Sequence, residues 1–515
     1  MSERSQWSSK LGFILAASGS AIGLGNIVFF SANAYRFGAG AFYVPYLVAL
    51  FVVGLPVLVL ELGLGSWSGR SFPEAMRLAG GRPAELAGWF GLGSATFITM
   101  YYITILGWVL GMWVGALGED LWAASVALPA FGDAAAGGLP AGAVPNPIAF
   151  FFDMLSSWRN VAFVVLVWVA NLVITWRGAS SIEAAVKLFV PLMWVFMVVM
   201  ILRGVTLDGG VQGVYLLFTP DFDAMSNPAV WHGAFSQIFF TLSLGFGIMT
   251  AYASYLPARS DQAASGLMIA SMNCAFEFIA GLAIFSMLFA FSMVPKASTL
   301  SMMFFIVPQG IASFPTGAKL FGVLFFTLLL VAGLSSSVSL VEALTSALQD
   351  KLRAKTRAGI LVAVCVVGAL GSALFAWPKV IDPGLDGDGT MGLTFLDLMD
   401  HWAFSYGLLL TGLVECVVVG WVLGPAKIRD FLNAHGRLKI PAGFDALVKW
   451  VIPGVLIGLL IYGVVGEVRD GLYGVAIAGA GRPYAIGALA VWLVGSLGFA
   501  AAVTFGVPGD EGVTP

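Results

Sequence analysis

The chain has 515 residues, of which 59% are hydrophobic and 10% charged, with a formal net charge of −3 and a mean hydropathy of +0.93. Soluble proteins carry about a quarter charged residues, so a water-soluble globule is excluded and a lipid bilayer is the solvent these side chains require. The small net charge gives no footing for a nucleic-acid partner, and no soluble domain is long enough to house one.

A spanning helix needs ~20 mostly apolar residues. Twelve such stretches follow one another, at roughly 11–35, 41–66, 88–117, 160–176, 184–202, 233–255, 265–294, 319–350, 357–377, 396–424, 446–465 and 484–506. A membrane β-barrel would alternate apolar and polar residues in ~10-residue segments, and nothing here does. The expected fold is therefore an all-α polytopic membrane protein of twelve transmembrane helices. No linker or second domain is evident, so a single domain over residues 1–515 is expected.

The first apolar run lacks a small-residue cleavage site and carries Gly25-Asn26 in its middle, so it reads as a retained span rather than a signal peptide. Its segment Ser18-Gly19-Ser20-Ala21-Ile22-Gly23-Leu24-Gly25-Asn26 interrupts the apolar pattern at mid-membrane depth. The sixth span echoes it with Gly245-Phe246-Gly247, preceded by Thr241 and Ser243. Backbone left unpaired in lipid is costly unless it lines a protected cavity. Matching interruptions in two halves therefore point to inverted repeats with a binding site between two unwound helices. Carbonyls freed at such a break suit Na⁺, and freed N–H groups suit a carboxylate.

Other polar residues lie within spans. Glu61 stands near the cytoplasmic end of the second span, where a functional and a structural hydrogen-bonding role are both open. Asn273 and Glu277 share one face of the seventh span, one turn apart. A carboxylate that deep in a membrane helix is a functional candidate. The eighth span brings three hydroxyls together at Ser335-Ser336-Ser337.

Lys and Arg gather in loops on one side, as in Lys351, Arg353, Lys355 and Arg357 and in Lys427, Arg429, Arg437 and Lys439. Positive loops stay cytoplasmic, which places both termini in the cytoplasm and the protein in the inner (plasma) membrane. Cys274, Cys365 and Cys416 fall inside spans and read as packing residues. The three histidines, His232, His401 and His435, are far apart, and no His/Cys/Asp cluster suggests a metalloenzyme. The expectation is that this is not an enzyme.

The stretches from Trp7 to Asn26, Gly38-Ala39-Gly40-Ala41-Phe42 with Pro45-Tyr46, Gln237 to Gly247, and Ala332-Gly333-Leu334-Ser335-Ser336-Ser337 resemble the neurotransmitter:sodium symporter family, and within it the bacterial leucine transporter. The resemblance covers all twelve spans in order and implies two five-helix inverted repeats, at roughly 11–202 and 233–424, followed by two C-terminal helices within 446–506. It implies sodium-coupled symport of a neutral, apolar amino acid by alternating access, with two Na⁺ ions and no organic cofactor. It is also compatible with a homo-oligomer in the bilayer.

By resemblance, one sodium is held by the carbonyls of Gly19, Ile22 and Ala332 with the hydroxyls of Ser335 and Ser336. The other uses the Ala21 carbonyl, Asn26, Thr241, Asn273 and the substrate's own carboxylate, which couples the two ligands reciprocally. The substrate is enclosed by Ala21, Gly23, Gly25, Ile98, Tyr102, Phe240, Thr241, Ser243, Phe246, Ser336, Ser337 and Leu340. Gly23 stands where monoamine carriers of the family have an Asp, which leaves room for a substrate bringing its own carboxylate. Where other members bind chloride, beside Tyr46, Gln237 and Asn273, this chain has Glu277. That replacement implies chloride independence and counter-transport of a proton.

The cytoplasmic gate matches Arg4 and Asp350, assisted by Trp7, Ser254 and Tyr255. The outer gate departs from the family: Phe29 stands where an Arg is usual, and Asp400, followed by His401, keeps the position of its partner. Three outcomes are open. Phe29 closes the vestibule by apolar packing, Arg36 or His401 supplies the missing charge, or the gate is impaired. The last would make the chain an amino-acid receptor that binds without transporting.

Overall fold

Long runs of Leu, Val, Phe and Ala satisfy their backbone in lipid by forming helices, and helices occupy all twelve expected stretches. The computed structural model describes residues 6–118, 121–122, 146–257, 260–293, 299–354, 356–376, 380–382, 393–473 and 481–507. Among these, ten helices are long and apolar enough to cross a membrane, and a pair bent by 57°, Lys10–Ala21 with Gly25–Arg36, passes the same test together.

We number the spans in chain order. The bent pair is α1. Ala39–Ser68 is α2, Phe72–Leu117 α3, Trp158–Thr175 α4 and Ala179–Val205 α5. The interrupted helix Pro228–Thr241 with Ile248–Ala253 is α6. Gln262–Ala290 is α7, Ala318–Leu352 α8, Arg357–Ala376 α9, Phe395–Leu423 α10, Gly443–Asp470 α11 and Arg482–Gly506 α12. A two-stranded antiparallel ladder, Val380–Asp382 with Leu393–Thr394, precedes α10.

The third span starts earlier than hydropathy places it, at Phe72 rather than near residue 88, with a kink at Gly80 and Gly81. The added turns carry Glu74, Arg77, Arg82 and Glu85. Their charge hides a helix that Ser71 and Pro73 start.

α3 packs along α8 and α12, while the first half of α1 lies against α5, α7 and α8. The two interrupted helices thus stand inside a ring of continuous ones. We call the side carrying Trp7 and Asp350 proximal and the side carrying Phe29 and Asp400 distal.

Candidate functional site

The first half of α1 stops because Ile22 leaves helical geometry (φ −78°, ψ 92°). The freed N–H of Gly23 donates to Asn26 Oδ1 at 2.8 Å, and that of Leu24 to the Tyr102 hydroxyl at 3.4 Å. In α6 the chain turns through left-handed geometry at Ser243 (φ +55°), Gly245 (φ +77°) and Gly247 (φ +72°). Gly245 is doubly constrained, since a Cβ there would also lie 2.8 Å from the Leu408 carbonyl oxygen. Its N–H donates to Glu61 Oε1 at 2.8 Å, so Glu61 makes a hydrogen bond that holds the break. The two breaks meet where Ser243 Oγ donates to the Ser20 carbonyl at 3.2 Å.

Between them is a cavity of ≈ 40 Å³ lined by Ser20, Ala21, Gly23, Asn26, Ile98, Tyr102, Phe240, Ser243, Phe246, Ile248, Ser336 and Leu340. Nine of these are among the twelve substrate-contact positions named from sequence. Gly25 lines the distal vestibule instead, and Thr241 and Ser337 are outside the cavity lining. Ser337 points its hydroxyl at the Leu334 carbonyl, 3.2 Å away, because two residues along a helix is a rotation of about 200°, which sets it opposite Ser335. Ser20 and Ile248 were missed. Ser20 lay within the quoted first-span segment, and its neighbour Ala21 was chosen.

One oxygen cluster joins α1 to α8. Ser335 Oγ lies 2.6 Å from the Gly19 carbonyl and 2.8 Å from that of Ala332, and Ser336 Oγ 2.9 Å from that of Ser20 and 3.3 Å from Ala332. The Ile22 N–H is turned back to the Ser18 carbonyl at 2.8 Å. A second cluster joins α1, α6 and α7. A terminal atom of the Asn273 carboxamide lies 3.2 Å from the carbonyl oxygens of both Ala21 and Thr241. Turned nitrogen-inward, the amide donates to both carbonyls. Turned oxygen-inward, it completes a trio of oxygens of the kind a small hard cation requires, and Asn26 Nδ2 then donates to Asn273 Oδ1 at 2.7 Å.

Beside this trio, Glu277 is fully buried. Its Oε1 accepts from Gln237 Nε2 and Thr241 Oγ1, both at 2.7 Å, and its Oε2 accepts from the Tyr46 hydroxyl. Gln237 is in turn oriented by Asn33, which donates from 3.1 Å. Three donors aimed at one carboxylate satisfy an anion without a cation beside it.

Proximally, Trp7 is buried and its Nε1 donates to the Tyr252 carbonyl at 2.8 Å, while its N–H faces the Tyr255 carbonyl at 3.4 Å. The Ser254 hydroxyl bonds the Ala251 carbonyl at 2.6 Å. Asp350 accepts from Ser71 N–H and Oγ at 2.8 and 2.7 Å. Arg4 lies outside the described residues. Sequence reading missed a further pair: Glu342 binds Arg357 through both guanidinium nitrogens and accepts from the Tyr255 hydroxyl at 2.6 Å. The signal existed, since Glu342 is an acid within the eighth span.

Distally, a vestibule of ≈ 290 Å³ shares Ile98, Tyr102 and Phe240 with the cavity. Phe29 meets Phe240 edge-on at 5.9 Å, and Phe240 meets Phe404 at 4.8 Å. Asp400 accepts from the Tyr101 hydroxyl at 2.6 Å. His401 faces Glu467 at 2.6 Å, and Arg36 lies over the Phe37 ring.

A small cavity between two interrupted membrane helices, flanked by oxygen clusters and bordered on one side by a vestibule, defines an ion-coupled membrane carrier. The model of the sodium:neurotransmitter symporter family matches residues 4–127 and 154–475. An uncharacterized sodium-dependent transporter of Methanocaldococcus jannaschii is 34% identical over 474 residues, 88% of this chain and 89% of that one. The sodium- and chloride-dependent GABA transporter 2 of Rattus norvegicus is 28% identical over 464 residues, 83% and 74% of the two chains. Among solved structures, MhsT in complex with L-phenylalanine matches with a TM-score of 0.74 and 28% identity, covering 90% of this chain and all of that one. The chain belongs to the sodium:neurotransmitter symporter family. That family consists of sodium-dependent membrane transporters and not of enzymes.

Proposed function

We propose that this protein imports a neutral, largely apolar amino acid together with two Na⁺, without chloride and with a proton returning outward. The observation that carries the reading is adjacency. Ala21, Gly23 and Asn26 line the cavity, and the Ala21 carbonyl lies 3.2 Å from the Asn273 carboxamide, which is as close to the Thr241 carbonyl. An amino-acid carboxylate there lies beside one cation site and raises its affinity, and the sodium does the same for the substrate; couplings of this kind are typically about 1–3 kcal/mol. The second Na⁺ falls to Gly19, Ile22, Ala332, Ser335 and Ser336. Tyr102 orients the carboxylate, and Ile98, Phe240, Phe246 and Leu340 surround the side chain, which selects against charged substrates. In this assignment the proximal side and both termini are cytoplasmic and the membrane is the inner (plasma) membrane.

Glu277 supplies the fixed negative charge that chloride supplies elsewhere, and in the empty carrier it takes up a proton for the return step. The gate-impaired receptor is the weaker reading, because Phe29, Phe240 and Phe404 form an aromatic closure that needs no ion pair.

The test is uptake into proteoliposomes with an imposed Na⁺ gradient, screened against the common amino acids. Accumulation in Na⁺ but not K⁺, unchanged by replacing chloride with gluconate, is the expected result. Sodium-dependent binding without accumulation would establish the receptor instead. A chloride requirement at neutral pH would remove the role given to Glu277.

A further inference from the structure

The carrier reading leaves unused a crevice of ≈ 460 Å³ framed by α3, α4, α8, α9 and α12. One wall is a stripe of α8 at helical spacing, formed by Leu340, Val341, Leu344, Leu348 and Leu352. At 1.5 Å per residue the stripe is about 18 Å long. One leaflet of the hydrocarbon core, half of ~30 Å, has a similar depth. The crevice begins at the proximal end of α8 and reaches Leu340, which also lines the cavity between the broken helices.

Its mouth opens on the outside of the bundle. Leu352, Gly359, Ala363, Val367 and Gly495 are exposed, whereas Gly93, Trp168, Val341 and Gly368 are buried at its floor. The mouth is wide because its residues are small: a Cβ added at Gly359 would meet nothing within 4 Å.

The interior suits hydrocarbon and not water. Its polar side chains are satisfied within the protein, since the Thr96 and Thr99 hydroxyls donate to the carbonyls of Leu92 and Ala95 at 2.8 and 2.7 Å, and Trp168 Nε1 donates to Ser372 Oγ at 2.9 Å. A buried water needs two to four polar partners. The proximal end has the opposite character. The connection from α8 to α9 carries Lys351, Arg353, Lys355 and Arg357 against one acid, Asp350, and Arg353 is exposed directly after Leu352. Basic residues at the end of a membrane helix attract anionic headgroups.

We infer that this crevice binds an anionic phospholipid of the proximal leaflet, with one acyl chain lying along α8 as far as Leu340 and the headgroup at the α8–α9 connection. The chain then stands behind one wall of the substrate cavity. The binding itself depends neither on which substrate is carried nor on whether the protein transports.

The experiment is photo-cross-linking of the full-length protein in phosphatidylcholine liposomes. The probe is phosphatidylglycerol with a diazirine near the end of one acyl chain, and adducts are mapped by mass spectrometry. Adducts are expected on Met100, Trp168 and Leu344 in excess over those on Ile461 and Val465, which are exposed on α11. Unlabelled phosphatidylglycerol should compete and added phosphatidylcholine should not. Arg353→Asn keeps a residue that tolerates the local φ of +49°, and it should weaken that competition about fivefold. Gly359→Phe combined with Ala363→Phe should abolish the deep adducts and leave those on α11 unchanged, which also reports a folded variant.

Deep adducts no more frequent than those on α11 overturn the inference in the wild type, with no variant required. Equal competition by phosphatidylcholine overturns it as well. A floor shielded from the probe, together with cross-linking of two copies through Val367→Cys, would make a second copy of this chain the occupant instead.

Discussion

The proximal and distal sides of the cavity are closed by different chemistry. Proximally, polar and charged groups tie helix ends together: Glu183 accepts from Ser8 N–H and from the Ser8 and Ser9 hydroxyls at 2.8, 2.6 and 2.8 Å. Asp350 holds Ser71, and Glu342 holds Arg357 and Tyr255. Distally, the contacts nearest the cavity are the rings of Phe29, Phe240 and Phe404. Directional bonds hold one geometry and are lost together when a helix end swings away. Stacked rings slide with small losses at each step. The proximal seal should therefore switch between two states, whereas the distal one should yield gradually.

The largest effect that would sharpen this contrast is expected for Glu342→Ala. It leaves the partly buried Arg357 guanidinium beside the Thr175 carbonyl without its counter-charge, a loss of up to about 3 kcal/mol. A steep fall in the thermal unfolding midpoint is the expected readout, and an unchanged midpoint would show that the pair carries no weight.

Trp7→Ala comes next. It removes a fully packed indole and its bond to Tyr252, about 3 kcal/mol, applied to the open-to-closed balance rather than to folding. Thiol labelling of a cysteine introduced at Ala251 should accelerate on the order of 100-fold at that energy. Labelling at the wild-type rate would contradict a proximal seal centred on Trp7.

On the distal side Phe29→Ala deletes one edge-on ring pair, about 0.5–1.5 kcal/mol, so substrate release should quicken by about 2- to 10-fold. Phe29→Arg tests the same region from the other direction. Asp400 already has Tyr101, so a new surface pair is worth at most about 1 kcal/mol and uptake should change less than fivefold. A large gain would mean that the present closure is defective. The smallest expected effect is Ser71→Ala. The backbone N–H still serves Asp350, and the lost hydroxyl bond is worth about 1 kcal/mol, visible as a slight rise in proximal thiol labelling.

Much of the fold was legible because each helix of a bilayer protein must be written as a long apolar run, and only the charged start of α3 escaped. The break in α6 was legible for a different reason, since Gly245 and Gly247 meet a left-handed geometry that other residues resist. Residues that act through main-chain atoms were harder to read. Ser20 faces the ligand cavity, and its carbonyl accepts two hydroxyls, a role that any amino acid could fill. Tyr101 could not be assigned to Asp400 either, because nothing local distinguishes it from Tyr102. Glu342, by contrast, is legible by the rule that singles out Glu277, since both are acids inside a span.

Gly25 carries no side chain, and the ring of Phe240 takes up the volume that a Cβ there would need. The two positions are thus sterically coupled. A lineage that acquires even an alanine at 25 must shrink or rotate the aromatic at 240, and Gly25→Ala should be inactive alone yet recover when paired with Phe240→Leu. Because Phe240 is also a wall shared by cavity and vestibule, a drift in one glycine would alter both which molecules are admitted and how long they stay.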